Sequence, residues 1–369
     1  MVLRTRKKTG LERIPHSTAY NKVKEKQGEM FLTGLAEFVT EGGNMKKALL
    51  FKRALRVSLV FLFLGSYALA AEPRRITFGY STIGPMAAGA WMAKDIGAFE
   101  KYGMQAGLIY ISSGPVVVQA LIGGDLHGGI AASNAVINAI LNGAPIIGVA
   151  GTANRPYHRL WVQPEINRIE DLRGKTLGVT RFGSITDNLT RMLLRKHGLE
   201  GAVTVRQMGG TPEVGAAFQQ RVIAGAVTSE LRVGSYVPAK MLVKLVDLGF
   251  PYSMNMIAVS RDYYHQNRKT VEGMIRAYIE GVAALHHPKD RALKILIRYS
   301  RLVDPKQIEQ LYEDSTTYLD RVPRVEPEAV YTILEFMGKK GTSLETFADN
   351  SIVDRLVGEG FVEKLYKNP

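Results

Sequence analysis

Cysteine is absent from all 369 residues. The chain can form no disulfide and no thiolate metal site, and it offers no cysteine for a lipid anchor at a processed N-terminus. Catalytic signatures are equally thin. The seven histidines show no H-E-x-x-H spacing, and the adjacent pair His286-His287 precedes Pro288 like a helix end. No G-x-S-x-G nucleophile elbow occurs, and no G-x-G-x-x-G follows a strand. Nothing points to a nucleophile, to a base with its orienting partner, or to a metal cage. No catalytic residue, metal or cofactor is expected.

Long apolar runs are also lacking. The strongest, Val57 to Leu64, has eight residues and is broken only by Ser58. That is far short of the roughly 20 needed to span a bilayer. Its setting is informative, because Lys46, Lys47, Lys52, Arg53 and Arg56 precede it and Ala68-Leu69-Ala70 follows. A basic front, a short apolar run and a small-x-small end make a secretory signal peptide over 45–70, cleaved near Ala70. Residues 1–44 are polar and basic with no sustained apolar period, and Glu41-Gly42-Gly43 spells what a purine-rich ribosome-binding site ahead of Met45 would encode. They are expected to be a mis-called upstream extension. The expected compartment is the periplasm, without an anchor.

Most of the positive charge sits in that leader. The whole chain carries +14, but residues 71–369 hold 35 basic and 29 acidic residues, a net +6 with no dense Lys/Arg block. A nucleic-acid footprint is therefore not expected, and a mild positive field suits solubility or an anionic solute. The 299 residues after Ala70 are enough for two lobes of about 100–150 each.

What is there is a repeated strand, polar turn and helix. Arg75 to Tyr80 reads as a strand, Ser81 to Pro85 as a turn and Met86 to Phe99 as a helix. Strands Leu108–Ile111, His127–Ala132 and Pro145–Ala150 follow, with helices Val116–Ile122 and Ala135–Leu141 between them. A second unit runs through strands Thr176–Thr180, Val203–Gln207, Ile223–Thr228 and Leu242–Asp247, with helices Asp187–His197 and Val214–Gln220. Met254–Val259 reads as a strand returning to the first unit, and helices fill the chain from Arg268 onward. Strands alternating with helices of this length predict α/β lobes, each a mostly parallel sheet flanked by helices, with a helical C-terminal cap. The expected bounds are 71–165 for lobe 1, 166–250 for lobe 2, and 251–369 for the return and cap.

Ligands in open α/β sheets bind beyond the carboxyl ends of the strands. The turns there carry Ser81-Thr82, Ser112-Ser113 and Ser133-Asn134 in the first unit and Gly183-Ser184-Ile185-Thr186 in the second. Each opens a helix, so each could offer hydroxyls and backbone N–H groups to a small anion, or serve only as an N-cap. Arg181 stands before the fourth turn, where its planar fork could take a carboxylate or sulfonate or simply stay solvated. Arg155, His158 and Arg159 fall where the chain would cross between units, beside the cleft. Glu230 could accept from a ligand amine or latch the lobes, or be an ordinary surface acid.

The segments RITFGYSTIG, MAKDIGAFEKYGM, VVVQALIGGDLHGGIAAS, IEDLRGKTLGVTRFGS and MLLRKHGL resemble the substrate-binding proteins of ABC transporters for nitrate, sulfonate and taurine-type solutes, a superfamily shared with THI5-like pyrimidine-precursor proteins. The likeness covers about residues 74–365, and Glu-Asp-Leu-x-Gly-Lys-x-x-Gly-Val with its Gly-Ser turn is its most specific part. It implies a two-lobed type II periplasmic binding protein closing like a jaw about strands near Gln163–Asn167 and Phe250–Asn255. It implies ligand contacts at Ser81, Thr82, Ser133, Asn134, Gly183, Ser184 and Ile185, with position 230 at the cleft. Two departures stand out. Gln220 to Ala226 replaces a Gly-x-x-Asp-Ala pattern, and Thr228-Ser229-Glu230 replaces Trp-Asp-Pro, so no relative's ligand transfers directly. The THI5-like enzymes carry a cysteine-rich iron motif that a chain without cysteine cannot have. The expectation is a monomer that captures a small anionic organic solute and hands it to an inner-membrane ABC permease. A sensing module for a membrane receptor, or an enzyme of the THI5-like branch, is the alternative.

Overall fold

A computed structural model describes residues 73–229 and 237–367, all within one compact unit. The expected leader segment and Glu230 lie outside the described residues. The chain opens with β1 (Arg74–Tyr80) and α1 (Pro85–Asp95). Pro85 begins α1, at a position whose N–H would have no acceptor within the helix. The helix expected over Met86–Phe99 is interrupted where Gly97 adopts a φ of 75°, and α2 (Ala98–Lys101) starts afresh. Then come β2 (Met104–Tyr110), α3 (Gly114–Gly123), β3 (Gly128–Ala132), α4 (Ser133–Leu141) and β4 (Ile146–Gly151).

The chain next crosses to a second set of elements. These are β5 (Arg159–Val162), β6 (Thr176–Val179), α5 (Ile185–Lys196), β7 (Thr204–Gln207), α6 (Thr211–Gln219), β8 (Gly225–Thr228) and β9 (Lys240–Lys244). It returns as β10 (Asn255–Ser260). The two sheets have the orders β2-β1-β3-β10-β4 and β7-β6-β8-β5-β9. In each, four strands run parallel and one runs against them. The odd strand is β10 in the first sheet and β5 in the second, each the first strand laid down after a crossing. This is the expected pair of mostly parallel sheets.

The crossing differs from the expected one. Arg159 to Val162 pairs antiparallel with β8 and β9, so it belongs to the second sheet and not to a first lobe ending at 165. Gln163 lies deep in the second lobe, its amide donating to the Phe218 and Ile223 carbonyls. The chain actually passes over at 152–158 and comes back at 249–254. There the two segments run side by side, with Tyr252 N–H on the Asn154 carbonyl (3.0 Å) and Met254 N–H on the Ala153 carbonyl (2.9 Å). Asn167, expected at the hinge, is instead held by Asp171 ahead of a short 3₁₀ turn.

The C-terminal cap comprises α7 (Arg261–Gln266), α8 (Arg268–Ala284), α9 (Lys289–Ser300), α10 (Pro305–Tyr318), α11 (Pro327–Phe336), α12 (Ser351–Gly358) and α13 (Phe361–Lys367). α8 lies against α1 through facing glycines. A Cβ on Gly281 would stand 2.0 Å from the Gly89 carbonyl oxygen, so only glycine permits this approach. The segment at Phe347–Asp349 pairs with Gly148 on the outer strand β4, occupying part of an otherwise open sheet edge.

Candidate functional site

The carboxyl ends of both sheets face one narrow, largely enclosed space of about 30 Å³. From the first lobe Ser81 and Thr82 reach it after β1, Ser113 and Gly114 after β2, Ala132 at the end of β3, and Asn255 at the start of β10. From the second come Thr180 after β6, Ser184, Ile185 and Thr186 at the start of α5, Thr211 at the start of α6, and Thr228 and Ser229 at the end of β8. Tyr157 and His158, from the crossing segment, complete the lining. The two lobes thus present equivalent strand ends to each other, as doubly wound sheets dictate.

The capping explanation for the polar turns holds for one of them. Ser184 caps α5, accepting from the Asp187 N–H at 3.3 Å. The Ser113 hydroxyl makes no capping bond at α3, and α4 begins at Ser133 with no side-chain cap. These side chains are employed elsewhere. Ser133 is fully buried and shares a 2.8 Å hydrogen bond with Ser253 on the returning segment. Asn134 spans the cleft, its amide donating to the Gly183 carbonyl (2.9 Å) and the Ser184 carbonyl (3.3 Å) of the opposite lobe. The Ser113 hydroxyl is 3% exposed and has no partner among the described residues. A buried hydroxyl left unpaired costs about 1–3 kcal/mol, which a bound polar group would recover.

On the second lobe three hydroxyls form a closed ring. Thr180 donates to Ser184 at 3.0 Å, Thr180 and Thr186 lie 3.1 Å apart, and Ser184 and Thr186 3.0 Å apart. The Thr180 N–H also donates to Thr186. This fixes the rotamers that face the cavity. Tyr252, on the returning segment, donates its hydroxyl to Asn188 of α5 at 2.7 Å and so ties the hinge to the floor of the second lobe.

His158 is fully buried. Burial, aided by the neighbouring Arg159 charge, lowers its pKa to about 3, so the ring is neutral at physiological pH. Its Nδ1 has no hydrogen-bond partner among the described residues, so no carboxylate orients it as a base. Arg159 is also buried. Its guanidinium is held by both oxygens of Asp314, at 2.7 and 2.8 Å, and donates to the Ser229 carbonyl at 3.0 Å. No charged side chain of the described residues lines the cavity itself.

Of the residues singled out in the sequence, Ser81, Thr82, Ser113, His158, Ser184, Ile185 and Thr186 converge on the cavity. Gly183 takes part through its carbonyl, which receives Asn134. Ser112 is half-buried and outside the lining, and Arg181 is exposed, beyond the lining. Arg181 fails because the strand ends at Val179 and the turn carries residue 181 outward. Thr211, Thr228, Ser229 and Asn255 were not anticipated. Thr228 ends a strand and Ser229 follows it, just as the other turns do, so the same rule would have found them.

The description NMT1/THI5 like matches residues 85–291, more than half of the chain. The chain belongs to the NMT1/THI5-like family. Among curated relatives it is similar to a Brucella abortus protein named "Putative binding protein BAB2_1146", 29% identical over 175 residues, 47% of this chain and 53% of that one. The chain thus spans about half the length of the curated relatives it matches. Solved structures of similar fold include the alkanesulfonate-binding protein SsuA of Xanthomonas axonopodis pv. citri bound to MOPS, with a TM-score of 0.58, 18% identity, and 80% of this chain and 96% of that one covered. The periplasmic nitrate-binding protein NrtA of Synechocystis PCC 6803 gives a TM-score of 0.59 at 15% identity, with 81% and 90% covered. This NMT1/THI5-like chain therefore has the two-lobed type II periplasmic binding protein fold.

Proposed function

We propose that this chain is an extracytoplasmic solute-binding protein. It captures a small anionic organic solute between its lobes and delivers it to an ABC permease in the inner membrane. One observation carries the reading: a hydroxyl-lined space enclosed by equivalent strand ends of two sheets that meet through a pair of crossing segments. Such a site is formed only when the lobes are together. A solute that touches both lobes has differential affinity for the closed state and shifts the population toward it.

The anionic class follows from the lining. Among the described residues no carboxylate faces the cavity, and α3, α5 and α6 all start at it. Helix starts supply free N–H groups and a partial positive charge. The relatives named for alkanesulfonate and nitrate support the same class. Turnover is not expected, because the one histidine in the lining is neutral and unoriented. Jaw closure needs no second subunit, so the protein works as a monomer.

The test is a thermal-shift series on the purified protein with nitrate, methanesulfonate, taurine, acetate and benzoate, with mass spectrometry of the recovered compound. A selective upward shift with the compound unchanged supports the reading, about 2.7 kcal/mol at a hundredfold excess over Kd. A chemically altered compound, or no shift with any of them, would refute it.

A further inference from the structure

The cavity has a cation behind its wall that is withheld from it. Arg159 precedes Leu160 in β5 and follows His158, which lines the cavity, and its Nη1 donates to the carbonyl of Ser229, which also lines it. The guanidinium is committed to Asp314 of α10 through two near-parallel bonds of 2.7 and 2.8 Å, and Gln310 donates to the same carboxylate at 2.9 Å. The two side chains are only 9% and 6% exposed. A buried, bidentate pair of this kind is effectively neutral to its surroundings, whereas a lone guanidinium there would project its full charge through a medium of low dielectric.

We propose that Asp314 is a specificity-determining residue, which by neutralising Arg159 makes the cavity select compact solutes with at most one negative charge and admit their uncharged isosteres. The inference rests on the solute-binding reading of the cavity. Its physical content is that recognition falls to hydroxyls and helix-start N–H groups. The partial charges at α3, α5 and α6 can balance one negative charge. A dianion such as sulfate would need the charge that Asp314 has taken.

The test uses charged and neutral partners of matched shape on the purified protein: methanesulfonate with dimethyl sulfone, and acetate with acetamide, plus sulfate at matched ionic strength. In the wild type the neutral member should bind within about tenfold of the anion, and sulfate should give no stabilisation. Asp314→Asn frees the guanidinium and should raise the anion-to-neutral affinity ratio by roughly tenfold or more. The paired variant Arg159→Met/Asp314→Leu removes both charges at similar volume, and should keep the wild-type ratio within about threefold. An unchanged ratio in folded Asp314→Asn overturns the proposal. So does a fall of more than tenfold in the paired variant, which would show that Arg159 had been serving the anion all along. Should Asp314→Asn fail to fold, the paired variant decides alone. If none of these compounds stabilises the wild type, the solute-binding reading itself fails. If they bind and Asp314→Asn leaves the ratio unmoved, only the role of Asp314 is lost.

Discussion

The two lobes share a topology strand for strand, yet they are built to different depths. In the first, β3, β4 and nearly all of β10 are buried along their whole length, and α1 and α8 press together through Gly89 and Gly281. In the second, β7 and β9 are largely exposed or half-buried, and Val214, Phe218, Ile223 and Ala226 form a small cluster of their own. The difference lies in the cap. The cap helices pack mainly on the first lobe, through α1, α2 and β4, and reach the second through the Arg159–Asp314 pair and the bond from Arg195 to the Phe336 carbonyl. The first lobe is a platform, and the second is a thinner jaw that can move against it.

Matched lesions on the two sides give the largest expected effect. Gly281→Ala forces a methyl against the Gly89 carbonyl oxygen, and Gly225→Ala places one 2.4 Å from the Trp161 carbonyl oxygen in the β5–β8 pair. Overpacking against backbone should cost about 3 kcal/mol in either case. The outcomes should differ in extent. The Gly281 change lowers the main thermal transition, while the Gly225 change loosens the second sheet alone, seen as faster amide hydrogen exchange across β5–β9. Uniform loss of protection in both variants would break the platform-and-jaw distinction.

The seam between the lobes gives the next effect. His158 stays neutral to about pH 3 when folded but takes a proton near pH 6.5 when unfolded. Its folded pKa is depressed, so below pH 6.5 the unfolded chain binds the extra proton and stability falls as pH falls. The loss is about 1.4 kcal/mol per pH unit, or roughly 2 kcal/mol by pH 5, continuing toward pH 3. His127 and His286 are shifted the same way, so the comparison that isolates His158 is wild type against His158→Asn. The difference between their denaturation profiles should shrink from neutral pH to pH 5, and a constant difference would contradict the assignment.

Much of this seam was legible before the structure and part of it was not. The polar turns after β1, β2 and β6 stood out because each joins a recognisable strand to a recognisable helix. Strand β5 did not. Its four residues, Arg159-Leu160-Trp161-Val162, show no alternation, and they run antiparallel in a sheet whose other strands come later in the chain. Missing it moved the expected crossing from 152–158 to 163–167. His158 was placed beside the cleft for a correct topological reason, but its burial depends on partners from other elements. The Arg159–Asp314 pair joins residues 155 positions apart, and no local pattern encodes that.

A smaller effect is expected from Asn134→Leu. It removes the amide that bridges to Gly183 and Ser184, and it also removes an oxygen that is buried without a partner among the described residues. Each lost hydrogen bond is worth about 1 kcal/mol, and the released orphan offsets part of that. The fold should hold while the ligand-free protein opens, read as a larger radius of gyration in X-ray scattering. An unchanged radius would mean that the platform and jaw are held by other contacts.

The smallest effect tests the two lobes at equal strain. Arg221 in the second lobe and Arg301 in the cap that packs on the first are the non-glycine residues with positive φ among those described, both at 56°. Such a conformation costs an ordinary residue about 1–2 kcal/mol, and glycine avoids that while losing roughly 0.5–1 kcal/mol of chain entropy. Glycine at either site should therefore stabilise slightly. Arg221 also pairs with Glu165 at 2.8 Å, both side chains more than half exposed, an interaction worth at most about 1 kcal/mol. Arg301→Gly should raise stability by about 0.5 kcal/mol and Arg221→Gly by about nothing, because the lost ion pair cancels the relieved strain. A gain at Arg221 equal to that at Arg301 would show that the Arg221–Glu165 ion pair contributes nothing.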